Sequence, residues 1–179
     1  KTLTSIIYQG LSSIYSDAEE IANNTNENKI LMYFQEFLKK IPDWNKEIIQ
    51  QEVSRISKNI SIDLEILLKG VVKSYALTLT CYDDLNRFGE LQEKIFSSID
   101  ITDFVHKIYI NCYKQFYTNP HLFYKYKDNL KRIENREIIN DKIKDCIEYS
   151  IYELLPLEDI IKEFINNNNI INNTNTNII

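Results

Sequence analysis

YFQEFLKKIPDWNKEIIQQEVSRI, residues 33–56, is the stretch whose reading decides the fold. Phe34, Phe37, Leu38 and Ile41 continue a pattern begun by Ile30 and Leu31, with apolar side chains at i, i+3, i+4 and i+7. That spacing predicts an amphipathic helix over 29–40. Pro42 ends it, because the residue before a proline is pushed out of the helical region. Asp43 is read as the cap of a second helix, about 44–58, with Ile48, Ile49, Val53 and Ile56 as its stripe. Trp44, the single tryptophan, is read as an apolar plug across the corner. Pro42, Asp43 and Trp44 thus read as a structural joint, with Asp43 placed to satisfy backbone N–H groups rather than to move protons.

The same reading extends outward. Residues 3–21 show a weaker amphipathic pattern through Leu3, Ile6, Ile7, Leu11, Ile14 and Ile21, and NNTNEN at 23–28 is a polar break. Residues 62–81 are apolar on most sides, as a central buried helix would be. A polar connector follows, then a short helix at 91–98. Phe104, Val105, Ile108, Tyr109, Cys112 and Phe116 share a face of a helix over 101–118, which Asn119-Pro120 ends. A long helix over 129–154 takes its stripe from Leu130, Ile133, Ile138 or Ile139, Ile143, Ile147, Ile151, Leu154 and Leu155. Pro156 opens a last helix to about 166. The expectation is an all-α, single bundle-like domain of about six or seven helices over 1–165, joined mostly by short connections. Residues 1–28 would be a loosely attached N-terminal helix, and the Asn-rich 166–179 a disordered low-complexity tail.

Composition agrees. Hydrophobic residues make up 44% of 179, enough for a core, while Gly and Pro number only three each. Few glycines means few tight hairpins and few phosphate-cradling loops, which argues against β-rich folds and Gly-rich nucleotide sites. A net charge of −5 makes nucleic acid an unlikely partner without excluding a local basic patch. Three scattered cysteines, Cys81, Cys112 and Cys146, read as reduced thiols serving as small hydrophobes. No run of 18 apolar residues is present to form a membrane span, and the N-terminal KTLTSIIYQGLSSIYSD has no secretory signal pattern.

Chemistry is sparse. His106 and Cys112 are six residues apart and do not share a ligand face; His121 has no evident co-ligand. Asp83-Asp84 and Glu19-Glu20 are adjacent pairs that point apart on a helix or turn. The standard hydrolase, metalloprotease, P-loop and EF-hand motifs are absent. No catalytic residue, metal or cofactor is expected. The basic run YKYKDNLKRIENR, 124–136, interleaves aromatics with cations, as single-strand binders do. It also reads as an amphipathic helix start with Lys and Arg on the wet side, which is the reading preferred here. Its candidate nucleic-acid contacts are Lys125, Lys127, Lys131 and Arg132. Among the 12 tyrosines, Tyr109, Tyr113 and Tyr117 sit at stripe edges and are candidate protein-interface residues.

FQEFLKKIPDWNKEIIQQEVSRI, FVHKIYINCYKQFYTNPHLF and IYELLPLEDIIKEFI, spanning 34–165 in that order, resemble a small all-helical family of the nucleocytoplasmic large DNA viruses. The abundance of Ile and Asn suits an AT-rich genome. The resemblance carries no catalytic motif. It implies a non-enzymatic, virus-encoded accessory protein, foremost a minor capsid protein that cements or bridges other capsid proteins. Its partners would be other viral structural proteins, and its location the virion and, during assembly, the host cytoplasm. The alternative is a regulatory or genome-handling factor that binds nucleic acid through 124–136.

Overall fold

In the computed structural model, residues 2–80 and 99–155 are described, with 157, 158, 161, 162 and 165. The expectations for Cys81, Asp83-Asp84, the connector after them, the 91–98 helix, Pro156 and the 166–179 tail lie outside the described residues. The five isolated positions are helical, within the last helix expected at 156–166. All regular structure among the described residues is helical: α1 (Leu3–Thr25), α2 (Ile30–Leu38), α3 (Lys46–Asn59), α4 (Leu64–Thr80), α5 (Ile101–Thr118) and α6 (Asn129–Tyr152). Short 3₁₀ turns occupy Glu27–Lys29, Ile41–Asp43 and Pro120–Phe123.

The chain divides into two compact units, one of residues 1–63 with 101–150, the other of 64–100 with 151–179. In the first, α1 packs on α2 and α3, and α5 packs on α2 and α3. Thr2 caps α1 by accepting from Ser5 N at 3.3 Å. Its buried stripe is Ile6, Ile7, Leu11, Tyr15, Ala18 and Ala22. Tyr15 and the two alanines replace the expected Ile14 and Ile21, and Ile21 is 40% exposed. With that stripe α1 is an integral part of the unit rather than a loose N-terminal helix.

The joint differs from expectation in one detail. Ile41–Asp43 forms a 3₁₀ turn with Pro42 in its first positions, and Trp44 is extended (φ −60°, ψ 132°). The turn uses up the residues expected to start α3, so the cap moves two positions on. Asn45 Oδ1 accepts from Ile48 N at 3.0 Å, and Asp43 is exposed. Trp44 is half-buried, its ring 5.0 Å from Tyr109 and 6.3 Å from His106. His106 Nε2 lies 2.9 Å from the Ile41 carbonyl, which fixes that nitrogen as the donor and ties α5 to the joint.

In the second unit α4 buries Leu64, Leu68, Val72 and Ala76, a single i, i+4 stripe. It is not the all-round buried helix expected: Leu67 and Leu79 are 42% and 45% exposed. Tyr75 and Tyr152 meet edge to face at 5.1 Å.

Candidate binding groove

The first unit holds a structural polar cluster and an open groove. The cluster joins three helices. Tyr109 on α5, fully buried, donates to Glu52 Oε2 of α3 at 2.9 Å. Arg55 Nη2 donates to Tyr109 Oη at 3.1 Å, to Glu52 Oε2 at 2.7 Å and to the Ile6 carbonyl of α1 at 3.0 Å. Burial and then the Glu52 charge push the Tyr109 phenol far above its ordinary range, so it remains a neutral donor. Gly10 makes the arrangement possible, because a Cβ there would lie 2.0 Å from Tyr109 Oη and 2.8 Å from Arg55 Nη2. Every group in this cluster is turned toward another helix. Tyr109 is therefore a core residue and is withdrawn from the candidate interface set. Tyr113 and Tyr117 are half-buried and meet edge to face at 5.7 Å.

The groove is built differently. On α6 the buried residues are Asn135, Ile139, Ile143, Cys146 and Ser150. The inward stripe runs back to Asn135, and Arg132 and Arg136 flank it as exposed side chains. The apolar residues expected on that stripe point away: Leu130 is 71% and Ile133 57% exposed. Lys125, Lys127, Lys131, Arg132 and Arg136 are all exposed, as the reading of 124–136 with Lys and Arg on the wet side expects.

Arg132 and Arg136 line a cavity of ≈ 160 Å³ together with Tyr8, Ser12 and Tyr15 of α1, and with Phe123, Tyr124 and Lys125 at and after the Pro120–Phe123 turn. Pro120 presets that turn, which drives Leu122 and Phe123 into the core. Phe123 packs against Phe34 at 5.0 Å and Phe116 at 5.1 Å, forming a rigid floor. Tyr8 stacks on Phe123 at 6.2 Å, and the Arg136 guanidinium lies 5.1 Å from the Tyr8 ring centre. At the rim Lys125 is ion-paired with Glu19 and lies 5.8 Å from the Tyr15 ring. Burial, then Glu19, pushes the Tyr15 phenol up to about 12.

Of the four cations singled out in sequence, Lys125 and Arg132 reach the cavity. Lys127 is exposed outside it, and Lys131 faces Glu134 at 3.5 Å. Arg136 joins them, and its i+4 spacing from Arg132 was the available signal. Among the described residues neither arginine has a carboxylate partner. Among the described residues, the buried side-chain polar atoms without hydrogen-bond partners are Ser12 Oγ and Asn135 Nδ2. The first lines the cavity; the second belongs to the residue just before Arg136, 3% exposed. Among the described residues there is no group of three or more side chains suited to hold a metal, and no helix long and apolar enough to cross a membrane.

These features define an all-helical protein with a cationic, tyrosine-walled groove. The chain belongs to a family of unknown function (DUF5764), whose profile matches residues 1–124. The match includes α1 through the Pro120–Phe123 turn, hence Tyr8, Ser12, Tyr15 and Tyr124; Arg132 and Arg136 follow it. Comparison with curated proteins and with solved structures gives no match.

Proposed function

We propose that the protein is a non-enzymatic binding module whose working surface is the groove between α1, the Pro120–Phe123 turn and α6, and that its partner is anionic. The observation that supports this is that Arg132 and Arg136, exposed and, among the described residues, without carboxylate partners, converge on one groove with the unpartnered Ser12 hydroxyl. The other ionised cluster, Glu52 with Arg55, is neutral in sum and held by Tyr109, so it offers no free charge.

Such a module suits the virus-encoded accessory role implied by the sequence resemblance, as a particle component that grips an acidic neighbour or the genome. Binding of fluorescent heparin oligosaccharide to the full chain tests the reading. Arg132→Gln with Arg136→Gln is expected to weaken binding by about tenfold or more, since each arginine lost removes a charge-assisted contact. Equal binding by the double variant would overturn it.

A further inference from the structure

Resting on the anionic-partner reading, we infer that the groove seats a backbone phosphate of single-stranded nucleic acid, with neighbouring bases stacked on its tyrosines. The groove lining brings two guanidinium forks and the Ser12 hydroxyl to one cavity and holds no carboxylate. A carboxylate offers two oxygens and is satisfied by one fork. A phosphodiester offers two charged oxygens plus two bridging ones at tetrahedral angles, which lets two forks and a hydroxyl share it. Ser12 Oγ is already stripped of water and without a partner, so an incoming oxygen restores a bond rather than displacing one.

The aromatic walls favour single strands. Tyr124 is 42% exposed and is braced edge to face by Tyr126 at 4.9 Å. An open ring beside a phosphate seat matches an unstacked base, whereas a duplex hides its base faces. The cavity of ≈ 160 Å³ suits one phosphate and its sugar edge, with bases left outside on the tyrosines. With a net charge of −5 the rest of the chain adds no long electrostatic track. The seat engages one phosphate, so the salt dependence is shallow, with a log–log slope of about −0.7.

The test compares full-chain binding of a labelled 12-nucleotide oligothymidylate, its duplex form with oligoadenylate, and heparin oligosaccharide. Each is measured with the wild type, Ser12→Ala, and Ser13→Ala as an exposed helix control. The expected result is preference for the single strand over duplex, and about a tenfold loss for Ser12→Ala on the oligonucleotide. Ser13→Ala should alter neither ligand. Heparin binding without oligonucleotide binding, or no loss of oligonucleotide binding in Ser12→Ala, overturns the phosphate seat and leaves the anionic reading standing. A preference for duplex overturns the stacking role. Binding of neither polyanion overturns both.

Discussion

Gly10→Ala offers a severe test of the packing account because general helix behaviour predicts the opposite sign. In an isolated helix, alanine is better than glycine by about 1 kcal/mol. Here the added methyl would stand 2.0 Å from Tyr109 Oη and 3.1 Å from its Cζ. Tyr109 has no exposed surface and cannot swing away, and Trp44 leans on it at 5.0 Å. Forcing a methyl into a packed site costs about 1–3 kcal/mol. Moving the phenol also breaks its bonds to Glu52 and Arg55, which as bonds to charged groups are worth about 1.5–3 kcal/mol each. After the helix gain, the net loss is about 3 kcal/mol or more, read from urea denaturation followed by Trp44 fluorescence. Tyr109→Phe removes the clashing oxygen. The double variant should therefore be more stable than Gly10→Ala alone, a non-additivity that marks direct contact. If Gly10→Ala is neutral or stabilising, the three-helix cluster is misassigned.

Asn45→Ala should cost about 1 kcal/mol as the loss of the α3 cap, whereas Asp43→Ala, at an exposed position, should change stability by less than about 0.5 kcal/mol; thermal denaturation of the pair checks the assignment, and the reverse order would return the cap to Asp43. Trp44→Ala, at a half-buried ring, should cost about 2 kcal/mol, below the range for a fully buried tryptophan; a loss above about 4 kcal/mol in urea would show a ring more enclosed than the geometry indicates. The stability contributed by Tyr15 should be level below pH 10 and fall between pH 10 and about 12, because Tyr15 holds its proton more tightly folded than unfolded, and Tyr109 extends the trend. The folded chain then binds more protons than the unfolded one in that window, so rising pH favours unfolding. Tyr15→Phe should reduce the alkaline slope measured by urea midpoints, and an unchanged slope would contradict the shift.

The helices were legible because periodicity carries them: α5 spans the 101–118 expected, and α2, α3 and α4 lie within about two residues of expectation. The corner at Pro42 was legible for the same local reason, although Asp43 and Asn45 are both cap formers. Only the geometry of the 3₁₀ turn chooses between them. The groove was not legible. Leu130 and Ile133 look like the natural start of the α6 stripe, and a pattern read along one helix cannot show which face meets α1. The i, i+4 spacing of Arg132 and Arg136 was visible, but it gains meaning only once α6 is placed beside α1 and the Pro120–Phe123 turn. Tyr109 misled similarly. An edge tyrosine reads as interface, and its role in the interior is visible through Gly10, a glycine within a helix that marks a close approach.

The central claim, that the groove is the working surface, is most directly tested by NMR of the arginine side-chain Nε–H resonances during titration with single-stranded oligonucleotide. The account predicts that the Arg132 and Arg136 signals shift and saturate together, with Tyr8 and Tyr124 ring protons, while Arg55 stays fixed in its cluster. Shifts confined to Lys127, Lys131 or α4, with Arg132 and Arg136 unmoved, would contradict it.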